Sequence, residues 1–501
     1  MNAANRSEIL NEYELKRIEY DLKQPIERTQ EQQKEILQKQ ETDLLLLSSV
    51  IEGRNDIELI KRIISSGIVE SFLLIFTKRD LNSITRTYLS PLFDLTNNSS
   101  DEVKLLIAEK KPYPGLIRLL EHTNNNIAGD AIVSIFNIQL SGTNTTKESD
   151  PHPHYESIQE SDGIKKIFAL FQKNKSKYSR DRSAISLGYL FRAREITDPI
   201  MRQEIINHIK SLLNDDDDDG DDDDSDAWVK ETAKNALKYL AQNDTNRSEI
   251  LNEQELKKIE QDLKQPIEGT QEQQKNITQR QETDLLLLSL ILEGQNDNEL
   301  RKRIISSGIV ENLLFIFTNK DQNPITLTYS NTFYDLTNPS SDEVCLLLAE
   351  QKPFPGLIRL IVLNNINVVT DAINSIVNIL NYGTTSTPES DPHPHFEAIQ
   401  ECDGIKKIFA LFHRDDASKD NKDTAMICLG YLFHAQEITD EVMRHEIISH
   451  LKTLINDPDS WTQNNVKDAL KDLALNAVNK AEIEADGFTI PDQEEDGEDE
   501  Q

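Results

Sequence analysis

The sequence predicts an all-α solenoid of about ten three-helix units arranged in two tandem copies, and two observations carry that expectation. The first is internal duplication. Residues 6 to 241 recur from Arg247 onward, so that Arg6-Ser-Glu-Ile-Leu-Asn-Glu returns as Arg247-Ser-Glu-Ile-Leu-Asn-Glu, 241 positions later. The same offset pairs Pro25 with Pro266, Gly67 with Gly308, and Pro151-His-Pro-His with Pro392-His-Pro-His. One extra residue near Lys419 makes the offset 242, pairing Gly188 with Gly430; a shorter loop in the second copy then makes it 233, pairing Trp228 with Trp461. A third copy begins at Asn479-Lys-Ala-Glu-Ile, which matches Asn246-Arg-Ser-Glu-Ile, and stops. The second observation is a shorter period: apolar helical stretches are punctuated at intervals of roughly 45 residues, the spacing of three-helix repeats. A unit that restarts in mid-pattern is one whose end docks onto another copy of itself, as in solenoids.

Five units are expected per copy, starting near Asn5, Asn55, Ser99, Asp150 and Asp198. The first opens with a helix from Glu8 to Leu22, repeated from Glu249 to Leu263, each ending ahead of a proline that cannot continue it (Pro25, Pro266). These two fit the pattern least well and read as joining elements between blocks. The second unit carries Gly67-Ile-Val-Glu-Ser-Phe-Leu-Leu-Ile-Phe as an inner helix. The third is the clearest. Ser99 and Glu102 form a capping-box signature, and Val103, Leu105, Leu106 and Ile107 supply an apolar side. Pro114-Gly115 breaks the helix, Leu116, Ile117, Leu119 and Leu120 begin the next, and Ala131, Ile132, Ile135, Phe136 and Ile138 lie on a third. The fourth repeats this grammar through Gly163-Ile-Lys-Lys-Ile-Phe-Ala-Leu-Phe. Each unit alone would leave an apolar face wet, whereas stacked units share one core. The expected domains are 1–242, with an acidic loop at 214–226, then 243–478, then 479–501 as a truncated repeat start with an acidic disordered tail.

Composition agrees with long, one-sided helices. Across 501 residues the hydrophobic fraction is 37%, with 17 Gly and 17 Pro. No stretch approaches the roughly 20 apolar residues of a membrane span, and the N-terminus lacks a signal-peptide pattern, so an intracellular protein, cytoplasmic or nuclear, is expected. The three cysteines, Cys345, Cys402 and Cys428, stand opposite Lys104, Ser161 and Ser186 in the first copy. A disulfide frame or zinc site required by the fold would be missing from half the molecule, so they read as reduced thiols. The net charge of −34 is concentrated: ten Asp between 215 and 226 and nine acids from Glu484 to Glu500 supply more than half of it. Both segments read as solvated and disordered. Concentrated Lys and Arg are lacking, which argues against nucleic acid as the main partner and leaves basic proteins as candidates.

These residues resemble the armadillo repeat family. Gly67-Ile-Val-Glu-Ser-Phe-Leu is similar to its second-helix opening, and Ala131-Ile-Val-Ser-Ile-Phe-Asn-Ile and Ser183-Ala-Ile-Ser-Leu-Gly-Tyr-Leu are similar to its third helix. The resemblance covers roughly Asn55 to Gln242 and Asn296 to Leu475. It implies a right-handed armadillo-like α-solenoid whose third helices line an inner wall. Armadillo import receptors carry a Trp and, four residues on, an Asn in each third helix. Here the Trp-like positions are Ser90, Val133, Ile185, Asn235, Asn331, Asn374, Ile427 and Asp468. The Asn-like set is Asp94, Asn137, Tyr189, Tyr239, Asp335, Asn378, Tyr431 and Asp472. With Asn137 and Asn378 alone matching, an import-receptor ladder is not expected, but this second set is the predicted protein-binding groove. Helix capping and packing between repeats is the alternative for several of its members.

Other motifs read structurally. Trp228 and Trp461 open the last helix of their copy and suggest packing at the helix entry. Asp150-Pro-His-Pro-His154 and its counterpart at 391–395 lack a third ligand at characteristic spacing, so no metal is expected. His445 and His450 are five apart, about 140° around a helix, unlike the four-residue spacing of a zinc-protease motif. No catalytic residue or cofactor motif is legible. The expectation is a non-enzymatic scaffold or adaptor that binds extended protein segments, basic ones included. The alternatives are a structural component that self-associates or docks to a larger complex and, as a lesser one, a metal protein or enzyme using the His-Pro-His loops.

Overall fold

The computed structural model describes residues 6, 8–26, 29–53, 56–97, 99–214, 223–319 and 325–491. The unit starts at Asn5 and Asn55, the Asp-rich loop through 222 with the side chains to Asp226, and the tail from 492 lie outside the described residues. Regular structure among the described residues is helical, and the chain divides into two units, 1–250 and 251–501.

In the first unit, α1 (Glu12–Leu22) and α2 (Gln30–Ile51) form one layer, and α3 (Ile57–Ser65), α4 (Ile68–Lys78) and α5 (Arg86–Thr96) the next. Then come α6 (Asp101–Glu109), α7 (Tyr113–Leu119) and α8 (Asn125–Asn144), followed by α9 (Tyr155–Gln159), α10 (Gly163–Lys173) and α11 (Lys177–Leu190). The fifth layer is α12 (Pro199–Leu212) and α13 (Asp223–Leu240), closed by α14 (Asp244–Ile250). The second unit repeats the series. Its first layers are α15 (Glu253–Lys264) with α16 (Gln271–Leu292), then α17 (Asn298–Ser306), α18 (Ile309–Asn319) and α19 (Leu327–Thr337). There follow α20 (Asp342–Glu350), α21 (Phe354–Leu360) and α22 (Ile366–Thr385), then α23 (Phe396–Glu401), α24 (Gly404–Phe412) and α25 (Lys419–Leu432). Helices α26 (Glu441–Leu454), α27 (Ser460–Ala474) and α28 (Ala477–Ile483) complete it.

Last helices of successive layers pack in a row, α2 on α5 on α8 on α11 on α13, and α16 on α19 on α22 on α25 on α27. A second row joins α1, α4, α7 and α10, with α15, α18, α21 and α24 as its copy. Apolar faces fill the space between rows: Phe72, Phe76, Phe136, Phe317 and Phe333 are fully buried. Basic side chains tie layer to layer by donating to carbonyls at helix ends, where the dipole favours a cation. Arg118 donates to the Phe76 carbonyl and Arg359 to that of Phe317, both at 2.6 Å, while Arg62 reaches Leu10 and Arg303 reaches Leu251, both at 2.9 Å. Gln40 and Gln281 are buried between layers. Each donates to the end of the preceding helix, to Asp21 at 2.9 Å and Asp262 at 2.8 Å, and accepts from Tyr88 and Tyr329.

Four local expectations are corrected. The stretch from Glu8 is not one helix: Asn11 interrupts it, its side chain accepting from the Tyr13 and Glu14 amides, and Asn252 does the same for Glu255. The segments read as joiners are full layers, since α1 packs on α4 and α2 on α5. In the third unit Ser99 turns back to the Leu95 carbonyl at 2.6 Å and Ser100 stands at the N-cap; the counterpart Ser341 does cap, accepting from the Val344 amide. The break lies at Lys111, in the left-handed region with φ 55°, rather than at Pro114-Gly115, which sits inside the first turn of α7. Proline is tolerated there because first-turn amides need no intrahelical acceptor. The same left-handed turn uses Gly67 (φ 91°) and Asp162 (φ 57°) in neighbouring layers, so glycine marks it in only some of them.

The His-Pro-His loops are wedges. His152 and His393 are buried, with Nε2 at 3.2 Å from the Gln139 carbonyl and 3.0 Å from that of Leu380. Room for them is made by glycines on the long helices: a Cβ on Gly142 would stand 2.7 Å from the His154 ring, and one on Gly383 would stand 2.7 Å from His393. Gly383→Ala is therefore expected to lower stability by about 1–3 kcal/mol through overpacking, read as a fall in denaturation midpoint with the helical spectrum retained.

Candidate protein-binding face

In the second unit the row of last helices borders a cleft of about 510 Å³. It is lined by Tyr334 and Asn338 at the end of α19, Asn374 and Asn378 on α22, residues at the start of α25, and the turn leading into α27. Local sequence fixes its rim. Ser418 caps α25 by accepting from the Asn421 amide at 3.1 Å, and Asp459 caps α27 by accepting from Thr462 at 2.8 Å. Both caps stop their helices at the cleft, so first-turn side chains turn into it.

The lining is rich in carboxylates: Asp420, Asp423, Asp457 and Asp459, with Lys419 as the cation among them. The Lys419 ammonium sits 2.9 Å from Asp423 and 3.0 Å from Asp457, which pushes its pKa up. Burial would raise the Asp423 carboxyl, but bonds from His450 at 2.7 Å and from Lys419 outweigh it and hold the pKa below the ordinary value. The Asp459 amide and Lys419 lower Asp457 in the same way. These two carboxylates therefore stay charged at neutral pH. Trp461 stands beside them 43% exposed. That corrects the expectation of helix-entry packing for this residue; Trp228, which lies five residues into α13, does pack, edge-on to Phe136 at 5.7 Å.

Of the eight predicted groove residues, Asn378 lines the cleft, and its amide donates to Thr337 at 3.1 Å. Asn137 is buried on α8, and Asp94 is half-buried on α5 with its carboxyl pushed up to about 6 by burial. Tyr189 is buried with edge contacts to Phe136 and to half-buried Tyr239, both at 5.0 Å. The Tyr431 hydroxyl donates to Asn465 at 2.8 Å inside the protein. Asp335 is buried, accepting from Ser289 and Asn331, and Asp472 is buried 3.0 Å from the His434 ring. Half of the set, Tyr189, Asp335, Tyr431 and Asp472, is thus spent between layers. Asp420 and Trp461 sit at helix starts, about two turns ahead of the predicted register at Ile427 and Asp468; the signal for them in the sequence is divergence between copies at matched positions.

No group of three or more His, Cys, Asp or Glu side chains able to hold a metal occurs among the described residues, and none of their helices is long and apolar enough to cross a membrane.

The layered geometry defines an armadillo-like helical repeat protein. No protein-family model matches the sequence, and no curated protein is significantly similar to it. Among solved structures, the crystal structure of an engineered protein aligns over 92% of this chain and 98% of its own with a TM-score of 0.57 at 17% identity. A designed armadillo repeat protein aligns over 54% of this chain and 100% of its own with a TM-score of 0.36 at 16% identity. A second engineered protein aligns over 53% and 97% with a TM-score of 0.35 at 17% identity.

Proposed function

We propose that this protein is a non-enzymatic intracellular scaffold that holds extended protein segments, basic ones included, along the row of last helices. The observation that carries this reading is the acid-rimmed cleft of the second unit, where side-chain amides (Asn374, Asn378), carboxylates and an exposed indole share one face. Amides can pair with the backbone of an extended segment, carboxylates favour cationic side chains, and an aromatic supplies rigid contact area. Asp94 and Tyr239, half-buried on the matching row of the first unit, are the proposed contacts there.

Fluorescence polarisation of the full chain against fifteen-residue peptides of basic, acidic and neutral composition tests it. Saturable binding is expected, strongest for the basic class, weakened by salt, and reduced by Asn378→Ala. Absence of saturable binding in every class would overturn the scaffold reading, and concentration-dependent self-association in its place would turn it to a structural assembly role.

A further inference from the structure

Matched positions of the two copies have diverged around the tryptophan. In the first unit, Arg182 on α11 places its guanidinium carbon 3.6 Å above the Trp228 ring and 5.3 Å from the Tyr178 ring. That is a cation–π stack made within the chain. The residue corresponding to Arg182 in the second copy is Thr424, and the residue corresponding to Tyr178 is Asp420. Thr424 is buried and too short to cover an indole, and Val377 stands where Phe136 packs against the first tryptophan. At these two positions the second copy has lost one cation and gained one carboxylate. The tryptophan is kept, and the residue is 43% exposed, with no cation over its ring among the described residues.

We infer that Trp461 is a docking site for an arginine side chain of a bound protein segment, whose guanidinium takes the place that Arg182 fills over Trp228. Asp420, Asp457 and Asp459 line the same cleft, so a guanidinium on the indole has carboxylates within the site to accept its remaining N–H groups. Trp461 lies outside the third-helix Trp-like positions, so the site is not the ladder expected of import receptors. The inference rests on the scaffold reading and names the chemistry of the partner for one position of its face.

The protein holds two tryptophans, so Trp228→Phe leaves Trp461 as the sole reporter. The probe is a nine-residue acetylated peptide with one central Arg flanked by Ser and Lys, compared with the same peptide carrying citrulline, which keeps the shape and removes the charge. Saturable change in Trp461 fluorescence with the Arg peptide is expected. Binding should weaken on the order of 10-fold with citrulline, and equally for Trp461→Ala followed by polarisation. Thr424→Arg should block the site from within; if that buried change impairs folding, the exposed Trp461→Ala and the citrulline pair still decide. Equal affinity of both peptides, or of the parent and Trp461→Ala, overturns the arginine site while leaving the scaffold reading intact. Failure of these and all fifteen-residue peptides to bind overturns both.

Discussion

Ending the chain at Leu475 is expected to abolish cooperative unfolding of the second unit, whereas ending it at Pro491 should leave the denaturation curve unchanged. The difference lies in α28, which contains Asn479 and the start of the incomplete third copy. Asn479 is fully buried; its side chain accepts from the Ile438 amide at 3.2 Å and donates to the Gln436 carbonyl at 2.7 Å. Arg444 and Lys452 then reach Glu482, at 2.7 Å to its carboxylate and 3.1 Å to its carbonyl. The first unit ends in the same way: Asn246 binds the Ile196 amide at 3.1 Å and the Arg194 carbonyl at 2.8 Å. Asn479→Ala alone would strand two backbone groups, at a cost on the order of 3 kcal/mol. Urea denaturation of full-length Asn479→Ala and Asn246→Ala checks this, each lowering the midpoint of its own unit. An unchanged midpoint would mean that α28 is ornamental. The phrase that opens a copy in sequence therefore closes the preceding unit in space.

The second large effect is on pH. Burial pushes the Asp335 carboxyl up to about 7, against the bond from Ser289 and the charge of Arg301; Glu293 and Asp371 push the same way as burial. Asp94 and Asp371 are raised to about 6, and Asp284 and Asp472 are also raised, burial being the leading cause each time. An acid whose folded pKa lies above its unfolded value near 3.9 binds protons more tightly when folded. Its contribution is fully present below the unfolded value and is lost as pH rises through the folded one. His152 and His393 act in the opposite sense: burial lowers both to about 3, so their contribution is present above about 6.5 and is lost as pH falls toward 3. The melting temperature should therefore rise from pH 8 to about 6 and level off below, where the histidines oppose the carboxylates. Asp335→Asn keeps the acceptor for Ser289 and removes the titration. It should flatten the rise by about 1 kcal/mol and stabilise the protein at pH 8. A parallel pair of curves for variant and parent would refute the assignment.

Much of the fold is legible in the residues. Return of Gly67-Ile-Val-Glu at Gly308, and of Ala131-Ile-Val-Ser-Ile-Phe as the similarly spaced Ala372-Ile-Asn-Ser-Ile-Val, exposes the layer, because apolar periodicity records which side of a helix is buried. The breaks are less legible. Lys111 and Asp162 occupy the left-handed turn that glycine marks at Gly67 and its copy Gly308, and Asn11 divides a stretch whose pattern reads as continuous. The binding face was least legible. Tyr189 and Tyr431 share the register of Asn378 yet are buried against neighbouring layers, since position on a helix does not say how closely the next helix approaches.

By itself, the sequence determined that this chain is all-helical, layered and duplicated, because those properties follow from local periodicity and from repetition. Tertiary structure alone decided that Asn246 and Asn479 belong to the units before them, that Asp335 lies in an interior able to shift its titration, and that Trp461 is open while Trp228 is covered by Arg182. These depend on distances between side chains about 30 to 50 residues apart in the chain, and such distances are set by how one layer settles on the next.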